Sequence, residues 1–206
     1  MHPATSTVVL AGGLGSRIGG EKALQRLQDR PLLDWVLDVV RPQSDELLIS
    51  VNGPAERYAR HACRLVVDRI SGHAGPLAGL QTAMQEASHE WIASVPCDVP
   101  FLPHNLIIRL HAAAGVGGAE AVVAVTGGRW QPAIALYRRS LLQKLDTYLT
   151  GGGRKVATWL ESLQPGEAIF ENVSNFINFN SARELALAEQ ILQNGGTHDD
   201  IRRAIA

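Results

Sequence analysis

A short apolar run, Val8-Val9-Leu10, passes directly into Ala11-Gly12-Gly13-Leu14-Gly15-Ser16-Arg17-Ile18-Gly19-Gly20-Glu21-Lys22, the stretch around which the rest of the chain is organised. The apolar run is too short for a helix and reads as a buried strand. The glycines permit positive φ and let backbone N–H groups approach a ligand closely. Successive N–H groups in such a loop form an anion-binding concavity. Arg17 and Lys22 are its only cations. Arg17 can fork onto phosphate oxygens, and Lys22 can act on them as a point charge.

Two familiar phosphate loops are excluded by spacing. No Gly-Lys-Ser/Thr follows at the separation a P-loop requires, and position 18 is Ile where a dinucleotide fingerprint would need its third glycine.

Periodicity places the remaining elements. Val8–Ala11 is the first strand, and Lys22 to Leu27 is irregular or a short strand. A helix opens at Asp29-Arg30-Pro31, with proline in its first turn and Leu32, Leu33, Val36, Leu37 and Val40 at helical spacing. Pro42 ends it. Leu47–Val51 and Leu65–Asp68 read as strands, with a short helix at Ala55–His61 between them. Gly75-Pro76-Leu77-Ala78-Gly79 starts an amphipathic helix, and Trp91–Val95 is a strand that runs into Pro96-Cys97-Asp98-Val99-Pro100. Further helices are expected at Pro103–Ala114, Ser140–Leu149 and Arg154–Leu163. Ala121–Val125 and Pro132–Leu136 pair around Gly127-Gly128, a hairpin turn. Phe176–Phe179 is a last short strand, and Ser181 caps a helix over Arg183–Leu192. The tail from Asn194 to Ala206 is polar, then weakly helical, and of the kind that is often mobile.

Alternating strands and helices indicate an α/β fold, a Rossmann-like three-layer sandwich with a mainly parallel sheet. Ligands of such sheets sit beyond the C-terminal strand ends. Gly12, Asn52, Asp68 and Asp98 all fall there.

At 206 residues the chain is one domain, taken as 1–192, with a C-terminal tail over 193–206. A net charge of −1 gives no basic field for nucleic acid. Cys63 and Cys97 form no Cys-x-x-Cys pair and read as buried small hydrophobes. The start, Met1 to Thr7, lacks a signal-peptide pattern, and no apolar run approaches the length of a membrane span. A soluble, cytoplasmic protein, monomeric or weakly oligomeric, is expected. None of the seven histidines pairs at metal-ligand spacing.

Asp98 is the strongest candidate for chemistry. Mg²⁺ is commonly held by one or two carboxylates plus substrate phosphates, so a single rim aspartate suffices. The competing reading is a cap for the helix near Pro103. Asp68 can accept hydrogen bonds from a base or ribose, or can be a turn aspartate. Gly79 lets a flat base approach the backbone, or serves tight helix packing. Asn52 contacts a nucleotide, or is half of an Asn-Gly turn. Arg154 and Lys155 meet an acceptor phosphate, or lie on a solvated helix face.

The string Leu10-Ala11-Gly12-Gly13…Arg17-x-Gly19-x-x-Lys22 resembles the signature of nucleotidyltransferases with a nucleotide-diphosphosugar-transferase-like fold. Ile18 stands where Met is usual, and Glu21 where Asp is common. Across residues 7 to 192, the order of this loop, Gly75–Gly79, Pro96-Cys97-Asp98, the Pro132–Leu136 strand and Asn178-x-Asn180 looks most like the MobA-like family. That resemblance implies transfer of GMP from GTP to the terminal phosphate of molybdenum–molybdopterin, with pyrophosphate released. It also implies that Leu10, Ala11, Gly12, Gly13, Lys22, Asn52, Asp68, Gly79 and Asp98 hold the nucleotide and that Asp98 holds Mg²⁺. Arg17 and Lys22 stabilise the leaving pyrophosphate. Gln131, Arg154, Asn178 and Asn180 border the acceptor, with Gln131 where His is frequent. GTP and the molybdopterin cofactor are the implied substrates, with molybdenum-insertion proteins and molybdoenzyme chaperones as further partners. A cytidylyltransferase for the same cofactor, another small NTP transferase, and a non-catalytic nucleotide or cofactor carrier are the alternatives.

Overall fold

The computed structural model describes residues 2–12, 21–67 and 75–205. In chain order the regular elements are β1 (Thr5–Leu10), β2 (Arg26–Leu27), β3 (Arg30–Pro31), α1 (Leu32–Val40), β4 (Glu46–Val51), β5 (Arg64–Val67), α2 (Pro76–Glu86) and β6 (Trp91–Pro96). They continue as α3 (Leu106–Gly115), β7 (Ala121–Thr126), β8 (Arg129–Arg138), α4 (Leu142–Thr150), α5 (Val156–Leu163), β9 (Gly166–Phe170), α6 (Ala182–Gln193) and α7 (His198–Ile205).

A seven-stranded sheet runs β5-β4-β1-β6-β8-β7-β9. Only β8 is reversed: it pairs antiparallel with β6 and β7, while the other neighbours are parallel. Side chains alternate across it, as strand geometry requires. Val8, Leu48 and Ile92 point to the face covered by α2, α4 and α5. Val9, Ile49 and Ala93 point to the face covered by α1 and α3. The result is the expected three-layer α/β sandwich.

The β7–β8 hairpin closes through Gly127 and Gly128, with φ of 56° and 71°. Both central positions of a tight I′-type turn need positive φ, which glycine adopts without strain. A second turn of this kind, at Gln28 (φ 50°) and Asp29 (φ 56°), joins the two-residue strands β2 and β3. No glycine marks it; the sequence suggests an irregular stretch or short strand up to Leu27 and a helix opening at Asp29, whereas the helix starts at Leu32 after β3.

Two sequence expectations are corrected. Phe176–Phe179 is not a strand. Val173–Phe176 forms a 3₁₀ turn capped by the Asn172 side chain, and the residues after it are extended without a partner strand. Their alternation is real, since Ile177 and Phe179 are buried. They bury into a small third core instead of a sheet. The last strand is β9, where Ala168 and Phe170 face inward. The tail is helical as expected, over His198–Ile205, but it packs onto the fold where a loose segment was anticipated. Its residues form α7, and Ile201 is fully buried against α6 and the third core. No helix among the described residues is long and apolar enough to cross a membrane.

Candidate active site

Three parallel strands end level with one another. Leu10 is in register with Ser50 of β4 on one side and with Pro96 of β6 on the other. The Ala11 N–H donates to the Ser50 carbonyl at 2.9 Å, and the Cys97 N–H donates to the Leu10 carbonyl at 3.3 Å. Gly12, Asn52 and Asp98 therefore leave the sheet side by side at its C-terminal rim.

The reversed strand opens a space beside them. Pairing of β6 with β8 stops at Ser94–Ala135, and the β7–β8 register slips between Val123 and Ala124. Pro132 lies in the slipped stretch, where its missing N–H removes a ladder bond. The bulge swings residues 131–134 off β6, and the freed Ala133 carbonyl accepts from the Ser94 hydroxyl at 3.0 Å. Between this bulge and the strand ends lies a cleft of about 400 Å³. That volume is within the range of small-molecule sites.

Opposite charges meet on its wall. Lys22 Nζ forms an ion pair with Asp98, whose side chain is only 10% exposed. The same ammonium donates to Asn180 Oδ1 at 2.9 Å, and the Asn180 amide donates to Asn178 Oδ1. Asn178 lines the cleft with Lys22 and Asp98. The third core holds these groups together. Leu27 and Leu32 follow Lys22, Phe101 follows Asp98, and Ile177 and Phe179 flank Asn178; all pack with α6 and α7. The Phe179 N–H also donates to the Asp98 carbonyl at 3.0 Å.

Neighbouring groups are less reactive. Burial, reinforced by the Asp98 charge, holds the Cys97 thiol well above its ordinary pKa, so it stays protonated and is no nucleophile. Among the described residues, no group of three or more His, Cys, Asp or Glu side chains gathers as a metal cage. Asp98 is the one carboxylate among the described residues lining the cleft, and it fits the Mg²⁺ arrangement in which substrate phosphates complete the shell.

Of the residues singled out from the sequence, Leu10, Gly12, Lys22, Asn52, Asp98, Gln131 and Asn178 line the cleft. Asn52 does more than turn the chain: its Nδ2 donates to the Gly12 carbonyl at 2.8 Å. A Cβ on Gly12 would lie 2.7 Å from that nitrogen, so the contact needs glycine. Asn180 stands behind Lys22. Ala11 is buried and contributes its N–H to β4. Gly13, Arg17 and Asp68 lie outside the described residues.

Two candidates are not brought to the cleft. Gly79 is buried under the sheet, where an added Cβ would overlap the Ser50 hydroxyl and come within 3.2 Å of Leu10. Close packing of helix on strand explains this glycine. Gly75 and Pro76, one turn earlier, line the cleft instead. Arg154 caps the end of α4, donating to the carbonyls of Leu149 at 2.8 Å and Gly153 at 2.6 Å. Ser50 is a lining residue that the sequence does not single out, whereas Gly75, Pro76, Ala133 and Ile134 belong to segments it does. The bulge itself was not foreseen, although Pro132 signals it, since proline inside a central strand implies one.

Comparison with known proteins shows the family and the fold. A family model described as the MobA-like NTP transferase domain matches residues 7–165. The chain is 38% identical to a molybdenum cofactor guanylyltransferase of Cupriavidus pinatubonensis, over 88% of this chain and 94% of that protein. It is 34% identical to one from Shewanella pealeana, over 96% of this chain and all of that protein. Molybdopterin-guanine dinucleotide biosynthesis protein A from Archaeoglobus fulgidus shares the fold, with a TM-score of 0.74 at 23% identity, covering 92% of this chain and 99% of that one.

Proposed function

The chain belongs to the MobA-like NTP transferase family, and we propose that it transfers GMP from GTP to the terminal phosphate of molybdenum–molybdopterin, forming the guanine dinucleotide cofactor and pyrophosphate. The observation that carries this reading is the Lys22–Asp98 pair in a cleft at the C-terminal rim of a parallel sheet.

Such a displacement needs positioning and charge neutralisation more than a protein nucleophile. A terminal phosphate oxygen of the acceptor attacks the α-phosphorus of GTP. The bond from that phosphorus to its bridging oxygen breaks, and pyrophosphate departs with the electron pair. Lys22, with Arg17, neutralises the departing diphosphate. The backbone from Leu10 to Gly13 would carry the nucleotide, and Asn52 or Asp68 would help select its base. Asp98 would hold Mg²⁺ together with substrate phosphates. When bound, the ion supplies positive charge to those oxygens. Gln131 and Asn178, which line the cleft, would border the acceptor, with Asn180 supporting Lys22 and Asn178 from behind. Residues 1–192 act as one transferase domain, onto which the C-terminal helix packs.

Pyrophosphate release, followed with Mg²⁺ and molybdopterin-loaded acceptor protein, tests this reading with GTP and CTP side by side. Release with GTP alone is expected. Release with CTP alone would move the base preference, and none with either nucleotide would sink the assignment.

A further inference from the structure

The segment that follows β4 grips both described ends of the glycine-rich stretch. At the near end, Asn52 donates to the Gly12 carbonyl at 2.8 Å. At the far end, the Tyr58 hydroxyl donates to Glu21 Oε2 at 3.2 Å, and Arg57 pairs with Glu21 Oε1 at 3.2 Å. The Glu21 carboxylate also occupies the space a Cβ on Gly53 would need. Tyr58 itself is buried, so its ring is a fixed post.

Glu21 immediately precedes Lys22, and it starts the 3₁₀ turn in which its carbonyl accepts from the Leu24 N–H at 3.0 Å. Fixing the Glu21 side chain therefore fixes the backbone from which Lys22 reaches Asp98. On electrostatics alone, a carboxylate here is unfavourable, because it stands beside a site for a polyanion. Its three-sided seating gives it a different use.

We propose that Glu21, held by Tyr58 and Arg57 over Gly53, is a positioning residue that sets Lys22 for the nucleotide triphosphate. This rests on the transferase reading above. A small displacement of an otherwise intact cation weakens its interaction with developing charge, so the loss is one of geometry and not of charge.

GTP affinity by equilibrium titration with Mg²⁺, kcat and KM for pyrophosphate release, and melting temperature test the inference in wild type and three variants. Tyr58→Phe deletes only the hydroxyl. Gly53→Ala pushes the carboxylate off its seat from the other side. Glu21→Gln keeps the shape and removes the charge. Each is expected to weaken GTP binding on the order of tenfold and to lower kcat/KM, with melting temperature nearly unchanged. Tighter binding by Glu21→Gln, the outcome of bare charge repulsion, would overturn the proposal. So would wild-type affinity in Tyr58→Phe and Gly53→Ala, whether or not their melting temperatures fall. A wild-type chain that binds GTP and releases pyrophosphate while the variants behave normally defeats the positioning role alone. A wild-type chain that binds no GTP defeats the transferase reading and this inference together.

Discussion

Lys22 Nζ rests on the carboxylate of Asp98, with the two side chains only 18% and 10% exposed. Each charge is thus compensated by the other before any substrate arrives. A polyphosphate that draws Lys22 to itself would expose the Asp98 carboxylate to a cation, so the pair suits a site that must handle both.

Removing either partner leaves a partly buried charge uncompensated, which is costly. Asp98→Ala and Lys22→Ala should each be less stable than wild type to chemical denaturation. The double variant should lose less than the sum of the two, since the pair is removed as a unit. Asp98→Ala should also abolish pyrophosphate release, and Lys22→Ala should slow it on the order of 10²-fold or more. Additive stability losses, or full turnover in either single variant, would contradict the roles given to this pair.

Gly79 supports a prediction about packing. Alanine is the better helix former, so Gly79→Ala would be mildly stabilising on an open helix face. Here its methyl group would overlap the Ser50 hydroxyl and sit 3.0 Å from Ser50 Cβ. The variant should therefore lose about 1–3 kcal/mol through overpacking. Urea denaturation at neutral pH measures this, and an unchanged or higher midpoint would refute the packing role given to Gly79.

Acid should destabilise the chain before its carboxylates titrate. Burial pushes the His111 imidazole down to about 4 from its ordinary 6.5, with repulsion from His2 and Arg138 adding to the shift. Burial also lowers His61 and His198. The folded chain thus holds these rings neutral where the unfolded chain takes up protons. Stability is full above pH 6.5 and falls as pH drops from there toward 4. His111→Gln removes one titrating ring, so its free energy of unfolding should change less between pH 7 and pH 5 than that of wild type. Equal pH slopes would show that His111 is not a source of the acid sensitivity.

The rim of the site was legible because its signals are local. Glycines after an apolar run, an aspartate between prolines and an Asn-Gly after a strand each state their position within a few residues. What escaped depends on partners distant in sequence. Gly75–Gly79 alone does not reveal which of its glycines meets Ser50 and which borders the cleft. The alternation of Ile177 and Phe179 is as regular as a strand's, and only the third core distinguishes the two. Arg154 follows three glycines, a common loop signal, yet its guanidinium turns back onto the carbonyls of Leu149 and Gly153 at the end of α4. In the sequence Glu21 shows only as a residue standing where Asp is common, because its partners, Tyr58 and Arg57, belong to another segment.

The C-terminal helix joins that third core to the site. Ile201 is fully buried with Phe101 and Phe179, residues close in the chain to Asp98 and Asn180. The His198 ring stacks on Phe101, and the Ser174 hydroxyl donates to Asp199. Cutting Ile201 to Ala should cost about 2–5 kcal/mol, as for other large-to-small changes in a core. Deleting residues 194–206 should leave the two main cores folded, because neither draws on α7. It should nevertheless lower kcat/KM for pyrophosphate release, since Asp98 and the Asn178–Asn180 segment lose a shared support. Circular dichroism of the shortened chain checks the first expectation and steady-state kinetics the second. A shortened chain that stays folded and turns over at the wild-type rate would show that α7 stabilises the fold without shaping the site.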